Sequence, residues 1–168
     1  AGGKEGGEWQ TKITDFGIST VLSRESPTFS NPNVVEGTLA YISPEQTGRM
    51  NRDIDYRTDF YSLGATFYEL LTGQPPFPAI DAMELVHSHI AKQPSPPHVL
   101  NPEIPPALSG IILKLLAKTA EARYQNAAGL KADLEECSRQ WQQTGQVESF
   151  ELGQHDISDR FQIPQKLY

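Results

Sequence analysis

Trp9-Gln10-Thr11-Lys12-Ile13-Thr14-Asp15-Phe16-Gly17 opens the stretch whose reading decides the fold, and Gly37-Thr38-Leu39-Ala40-Tyr41-Ile42-Ser43-Pro44-Glu45 closes it. Trp9, Thr11 and Ile13 alternate with Gln10, Lys12 and Thr14, the period of a short strand with one face buried. Asp15-Phe16-Gly17 breaks that period. Residues 18–36 are rich in Ser, Thr, Asn and Pro without any sustained period, which predicts a long loop. Loops of that length inside a compact domain are uncommon and usually functional. Ahead of the strand, Gly2, Gly3, Gly6 and Gly7 alternate with Lys4, Glu5 and Glu8, a composition that cannot bury a core and predicts a flexible loop over 1–7. That run is no nucleotide-binding loop, because no Gly-Lys-Ser/Thr ending follows it and no helix is signalled behind it.

Beyond Gly37 the pattern turns helical. Phe60, Leu63, Phe67, Leu70 and Leu71 recur at helical spacing, with Thr58 or Asp59 at the start and Gly73, Pro75 and Pro76 past the end. Asp81 can open a second helix running through Ile90. Prolines crowd the stretch between 75 and 106, which predicts irregular connections around that helix. Leu108, Ile111, Ile112, Leu115 and Leu116 form the apolar stripe of a third helix, and Leu130, Leu134, Cys137 and Trp141 that of a fourth. From about Gly145 the apolar residues thin out and lose period, so residues 143–168 read as a linker.

Composition bounds the function. The chain has 168 residues, 38% hydrophobic and 21% charged, enough for one core burying roughly 70% of the unfolded surface. It carries 14 basic against 21 acidic residues, a net of -7, with the basic ones scattered, which excludes a nucleic-acid footprint and a polybasic membrane anchor. Cys137 is the single cysteine, so internal disulfides and zinc frameworks built on several cysteines are excluded and a reducing, cytoplasmic setting is expected. Its place on the fourth helix's stripe predicts a core residue. No apolar run reaches the roughly 18 residues of a membrane span. His87 and His89 stand two apart in a predicted helix, a spacing that does not bring both to one metal.

Asp-Phe-Gly alone is a common triplet; its surroundings give it weight. A strand leads into Asp15-Phe16-Gly17, a long polar loop follows, Gly37 to Glu45 closes it, and then come Asp59-Phe60-Tyr61-Ser62-Leu63-Gly64, Gly73-Gln74-Pro75-Pro76-Phe77 and Arg123. This ordered series resembles the C-terminal lobe of a eukaryotic-type Ser/Thr protein kinase, over about Trp9 to Cys137. The resemblance implies a mainly α fold, a helical bundle with a short β element at its start, over residues 8–142. Ile42 to Met50, Tyr56 to Tyr61 and the tail Glu148 to Tyr168 resemble more narrowly the kinase domain and following linker of bacterial multi-sensor hybrid signalling histidine kinases.

In such kinases the Asp of Asp-Phe-Gly holds the Mg²⁺ that bridges the ATP phosphates, so the resemblance assigns Asp15 to the metal, with Phe16 and Gly17 beside the nucleotide. Gly37, Thr38 and Tyr41 are implied to shape the site of the protein substrate, the Thr38 hydroxyl serving the catalytic base. Ser43, Pro44 and Glu45 match Ala-Pro-Glu, whose Glu pairs with a buried Arg, here Arg123; Asp59 matches the helix Asp that steadies the catalytic loop. These last five are structural. Ser19, Thr20, Ser23, Ser26, Thr28 and Ser30 are either phosphorylation sites of an activation segment or a plain solvated loop.

The family's Gly-rich loop, strand Lys, helix Glu and catalytic Asp and Asn precede Asp-Phe-Gly. Only 14 residues precede Asp15 here, and none is Asp or Asn. The chain by itself is therefore expected to lack the N-terminal lobe and to transfer no phosphate, as part of a parent kinase with downstream signalling modules. The alternative is a pseudokinase or docking module that regulates its neighbours.

Overall fold

The computed structural model describes residues 2–5, 8–11, 39–50, 52–78 and 81–156. Strands β1 (Gly2–Glu5) and β2 (Glu8–Thr11) pair antiparallel, Gly2 opposite Thr11 and Glu5 opposite Glu8. The strand expected from Trp9 is thus present, and the glycine run expected as a loop supplies its partner. Backbone groups alone make such a ladder, so side-chain composition is blind to it.

The remainder is helical: α1 (Arg57–Thr72), α2 (Ala82–Ala91), a single turn α3 (Pro97–Leu100), α4 (Pro106–Leu115) and α5 (Ala127–Thr144). Short 3₁₀ turns lie at Glu45–Thr47 and Ala120–Ala122. The caps explain the boundaries. Asp81 accepts from the Glu84 N–H at 2.8 Å and Asn126 from the Gly129 N–H at 2.7 Å, each satisfying an orphan donor of a first turn. Pro105 and Pro106 start α4, where a missing N–H costs nothing. Gly73 ends α1 at φ 76, in the left-handed region that a side chain would strain.

α1 and α4 cross closely, with Gly64 as the contact point: a Cβ there would stand 2.7 Å from Leu115 Cβ. Tyr61, Ala65 and Tyr68 of α1 pack with Ile112 and Leu116. Ala107, Ile111, Leu115, Tyr124, Leu130 and Cys137 form the neighbouring core, against which Phe60, Leu63 and Phe67 are half-buried. The predicted stripe of α1 is therefore displaced by one position: its deepest side chains are tyrosines and alanine, and Leu70 is 74% exposed. A stripe read by hydropathy passes over tyrosine, whose ring buries as well as leucine once its hydroxyl has a partner. Cys137 is buried as expected, whereas Trp141, on the same predicted stripe, is 57% exposed.

The tail also departs from expectation. α5 continues to Thr144, and residues 146–156 do not leave as a linker. Val147, Phe150 and Leu152 pack on the Ile111–Leu130 core. Gly153 donates its N–H to Asp133 Oδ2 at 2.8 Å, and Asp156 accepts from the Gln125 and Asn126 N–H groups at 2.8 to 3.1 Å. The anchors are spaced irregularly and held by side chain to backbone bonds, which leave no period in the sequence. Among the described residues no helix is long and apolar enough to cross a membrane.

Candidate functional site

Ser43-Pro44-Glu45 enters the core directly after Tyr41 and Ile42. Ser43 and Pro44 are fully buried, and Ser43 is held through its N–H and hydroxyl by Gln46 Oε1, at 3.0 and 3.2 Å. Glu45 is 5% exposed. Arg123 approaches it across the lobe with two parallel bonds, Nη1 to Oε1 at 2.6 Å and Nη2 to Oε2 at 2.8 Å. Thr58 donates its hydroxyl to Oε1 at 2.9 Å. Burial alone would push the Glu45 carboxyl up, but the bonds and charge of Arg123 outweigh it and hold the pKa below the ordinary value. The remaining donors of Arg123 reach the Ala117 carbonyl at 2.9 Å and the Arg57 carbonyl at 3.0 Å, leaving the buried guanidinium satisfied. The pairing read from the resemblance is thus present in full.

Tyr41 stands four residues before Glu45, at the mouth of an open depression of about 380 Å³ lined with Thr66, Glu69 and Leu70. Its hydroxyl donates to Glu69 Oε2, and its carbonyl accepts from the Ser62 hydroxyl at 2.9 Å. Both ends of the residue are therefore pinned to α1. The Glu69 carboxylate, by its bond and its charge, raises the Tyr41 pKa, so the phenol stays a donor. Asp59 lies in the first turn of α1 with its side chain exposed. Asp15, Phe16, Gly17, Gly37 and Thr38 lie outside the described residues, as do Ser19 to Ser30.

A second group, unmarked by the sequence reading, underlies this segment. Leu39 and Ile42 pack with Phe77 and Leu85. Below them Tyr61 and His89, both fully buried, meet at 2.9 Å through the Tyr61 hydroxyl and His89 Nδ1. Lys118 Nζ donates to the His89 and Ser88 carbonyls at 2.9 and 3.3 Å and lies 4.4 Å over the Phe77 ring. Arg123 sits 5.0 Å over the Tyr61 ring. Burial, reinforced by the Lys118 charge, lowers the His89 pKa to about 4, and burial with the Arg123 charge lowers that of Lys118 to about 8. Burial thus favours the neutral imidazole of His89, with Lys118 as the neighbouring charge. The only sequence signal of His89 was the pair with His87, which is exposed on another side of α2.

A family model described as the protein kinase domain matches residues 4–134. The chain is 42% identical to a hybrid signal transduction histidine kinase G of Dictyostelium discoideum, over 78% of this chain and 4% of that protein. It is 38% identical to a probable serine/threonine-protein kinase of Streptomyces coelicolor, over 76% of this chain, and 39% identical to the serine/threonine-protein kinase PknB of Mycolicibacterium smegmatis, over 73%. It spans 19% of the length of each of those two bacterial proteins.

Proposed function

Because this chain belongs to the protein kinase family, we propose that it supplies the acceptor side and one metal ligand of a Ser/Thr protein kinase that moves the γ-phosphate of ATP to a protein hydroxyl. The observation that carries the reading is the Glu45–Arg123 pair with Tyr41 pinned to Glu69 and Ser62. Together they fix in space the segment that follows Gly37 and Thr38. Phosphoryl transfer is mostly positioning and charge neutralisation, so a rigid acceptor platform is a chemical contribution in itself.

In this reading Asp15 offers a hard carboxylate oxygen to Mg²⁺, which would neutralise the ATP phosphates when bound. Thr38 and Gly37 shape the place of the acceptor hydroxyl, and Tyr41 forms its wall beside Glu69. Asp59, exposed at the start of α1, is free to hold backbone N–H groups of a catalytic loop. The Ser19 to Ser30 segment is the place for regulatory phosphorylation. Downstream signalling modules follow the docked tail, and the whole works in the cytoplasm.

The test is acid-stable phosphate transfer from labelled ATP and Mg²⁺ by the full-length protein, wild type against Asp15→Ala. Histidine phosphate is acid-labile and does not enter the count. Loss of Ser/Thr phosphate in the variant supports the enzyme. A wild type that folds and transfers none makes the lobe a regulatory pseudokinase.

A further inference from the structure

Residues 123–126 are gripped from two sides. On one side Arg123 closes on Glu45, and its Nη1 also reaches the Arg57 carbonyl at 3.0 Å. On the other side the docked tail holds the next three residues. Asp133 Oδ2 accepts from the Tyr124 hydroxyl at 2.5 Å and from the Gly153 N–H at 2.8 Å, so one buried carboxylate oxygen serves both core and tail. The Asp156 carboxylate accepts from the Gln125 N–H at 2.8 and 2.9 Å and from the Asn126 N–H at 3.1 Å. The Gln125 side chain turns back toward the anchor: its Oε1 accepts from Arg57 Nη1 at 2.8 Å, and its Nε2 donates to the Arg123 carbonyl at 2.8 Å. The two grips differ in depth. Glu45 and Arg123 are 5% and 1% exposed, whereas Glu151, Gln154 and His155 are exposed and Leu152, Gly153 and Asp156 half-buried. A superficial segment with few buried contacts opens at a lower free energy than the core beneath it.

We infer that residues 146–156 are a regulatory strap with two states: docked, they hold 123–126 in the position from which Arg123 meets Glu45, and released, they loosen the segment that ends at Glu45. Release hands the Gln125 and Asn126 N–H groups to water and frees the Gln125 side chain to leave Arg57. Arg123 then carries its fork on a backbone held from one side only. The input is the state of the tail, and the output is the mobility of the turn at Glu45. Coupling of this kind is reciprocal, so weakening the hold on Glu45 also loosens the strap. The consequence for phosphate transfer rests on the proposed kinase function; the coupling does not.

The experiment is amide hydrogen exchange of the 168-residue chain, wild type against Asp156→Ala. The reporters are Gln46, Thr47 and Gly48, whose N–H groups bond to the Ser43, Pro44 and Glu45 carbonyls. Asp156→Ala should speed their exchange about tenfold, within the usual range of coupling between sites. The Gly73 and Lys92 amides, at the ends of α1 and α2, should stay within about twofold of wild type. Unchanged reporters overturn the inference. Equal speeding of reporters and controls also overturns it, because the substitution then only lowers global stability. In the opposite direction Thr58→Val removes one donor from Glu45 without stranding Arg123. It should speed exchange at Gln125, Asn126 and Gly153 relative to Gly73 and Lys92. Exchange that changes only beside residue 58 denies the reciprocity and overturns the strap. A full-length wild type that makes no Ser/Thr phosphate, with the exchange pattern as expected, sinks the kinase reading and leaves the strap standing.

Discussion

Arg123 closes on both carboxylate oxygens of Glu45, a residue 78 positions earlier in the chain, and both partners are removed from water. A pair of this kind adds little over an apolar contact of the same shape, yet losing one member strands a charge. Its value lies in where it holds the chain: with Thr58 bonded to Glu45 and the Arg57 carbonyl to Arg123, the segment ending at Glu45 cannot drift from α1 while the fork is closed.

Glu45→Gln and Arg123→Met should therefore each destabilise the chain by roughly 3–5 kcal/mol, read from urea unfolding midpoints. The double variant Glu45→Gln, Arg123→Met should be less destabilised than the sum of the singles, because the second substitution removes the stranded charge. Additive losses would mean that the two side chains do not act as a pair.

Most of this pair was legible before any coordinates, and the reason is physical. Glu45 and Arg123 were paired by the resemblance of the motif series, and the helix ends at Gly73 and Asp81 are marked by residues whose chemistry is local. Tyr61 and His89 were illegible because their importance arises from a meeting across 28 residues that no period encodes. Leu70 was read as core since hydropathy cannot tell which of two adjoining helix faces meets α4. The tail was read as linker because Asp133 and Asp156 hold it through backbone N–H groups, and those exist in every sequence.

The buried histidine gives the stability a definite acid limb. Unfolded, the His89 ring takes a proton near 6.5; folded, burial and the neighbouring Lys118 charge defer that to about 4. Between those values the unfolded state binds more protons, so stability falls as pH drops from 6.5 toward 4. The Glu45 carboxyl, lowered in the folded state, adds a further loss below its ordinary value of 4.5. His89→Gln should flatten the first part of the limb and leave the second, measured as unfolding free energy against pH. An unchanged slope between pH 6.5 and 4 would place the titration elsewhere.

The docked tail makes a separate prediction. A Cβ on Gly129 would lie 2.7 Å from Asp156 Cα, Cβ and Oδ1, and the backbone there has no soft side chain to give way. Gly129→Ala should lift Asp156 from the Gln125 and Asn126 N–H groups, and Asp156→Ala should remove the same bonds at a cost of about 1–2 kcal/mol. Limited proteolysis should then cut within 146–156 in both variants and spare that stretch in the wild type. Equal cutting in all three would show that Val147, Phe150 and Leu152 hold the tail without the aspartate.

Tyr41→Phe separates the proposed acceptor role of this residue from its part in the fold. The lost bond to Glu69 lies near the surface, so stability should change by less than about 1 kcal/mol. The Tyr41 carbonyl keeps its Ser62 bond, and the ring keeps its place against α1. What changes is the wall of the depression: Glu69 is released to water and can swing into the space beside Thr66 and Leu70. In the full-length protein KM for a protein acceptor should then rise severalfold, while KM for ATP stays within error, since the proposed function gives the nucleotide's metal to Asp15 and only the acceptor wall to Tyr41. A matched rise in both constants would move Tyr41 out of the acceptor site and into the general scaffold.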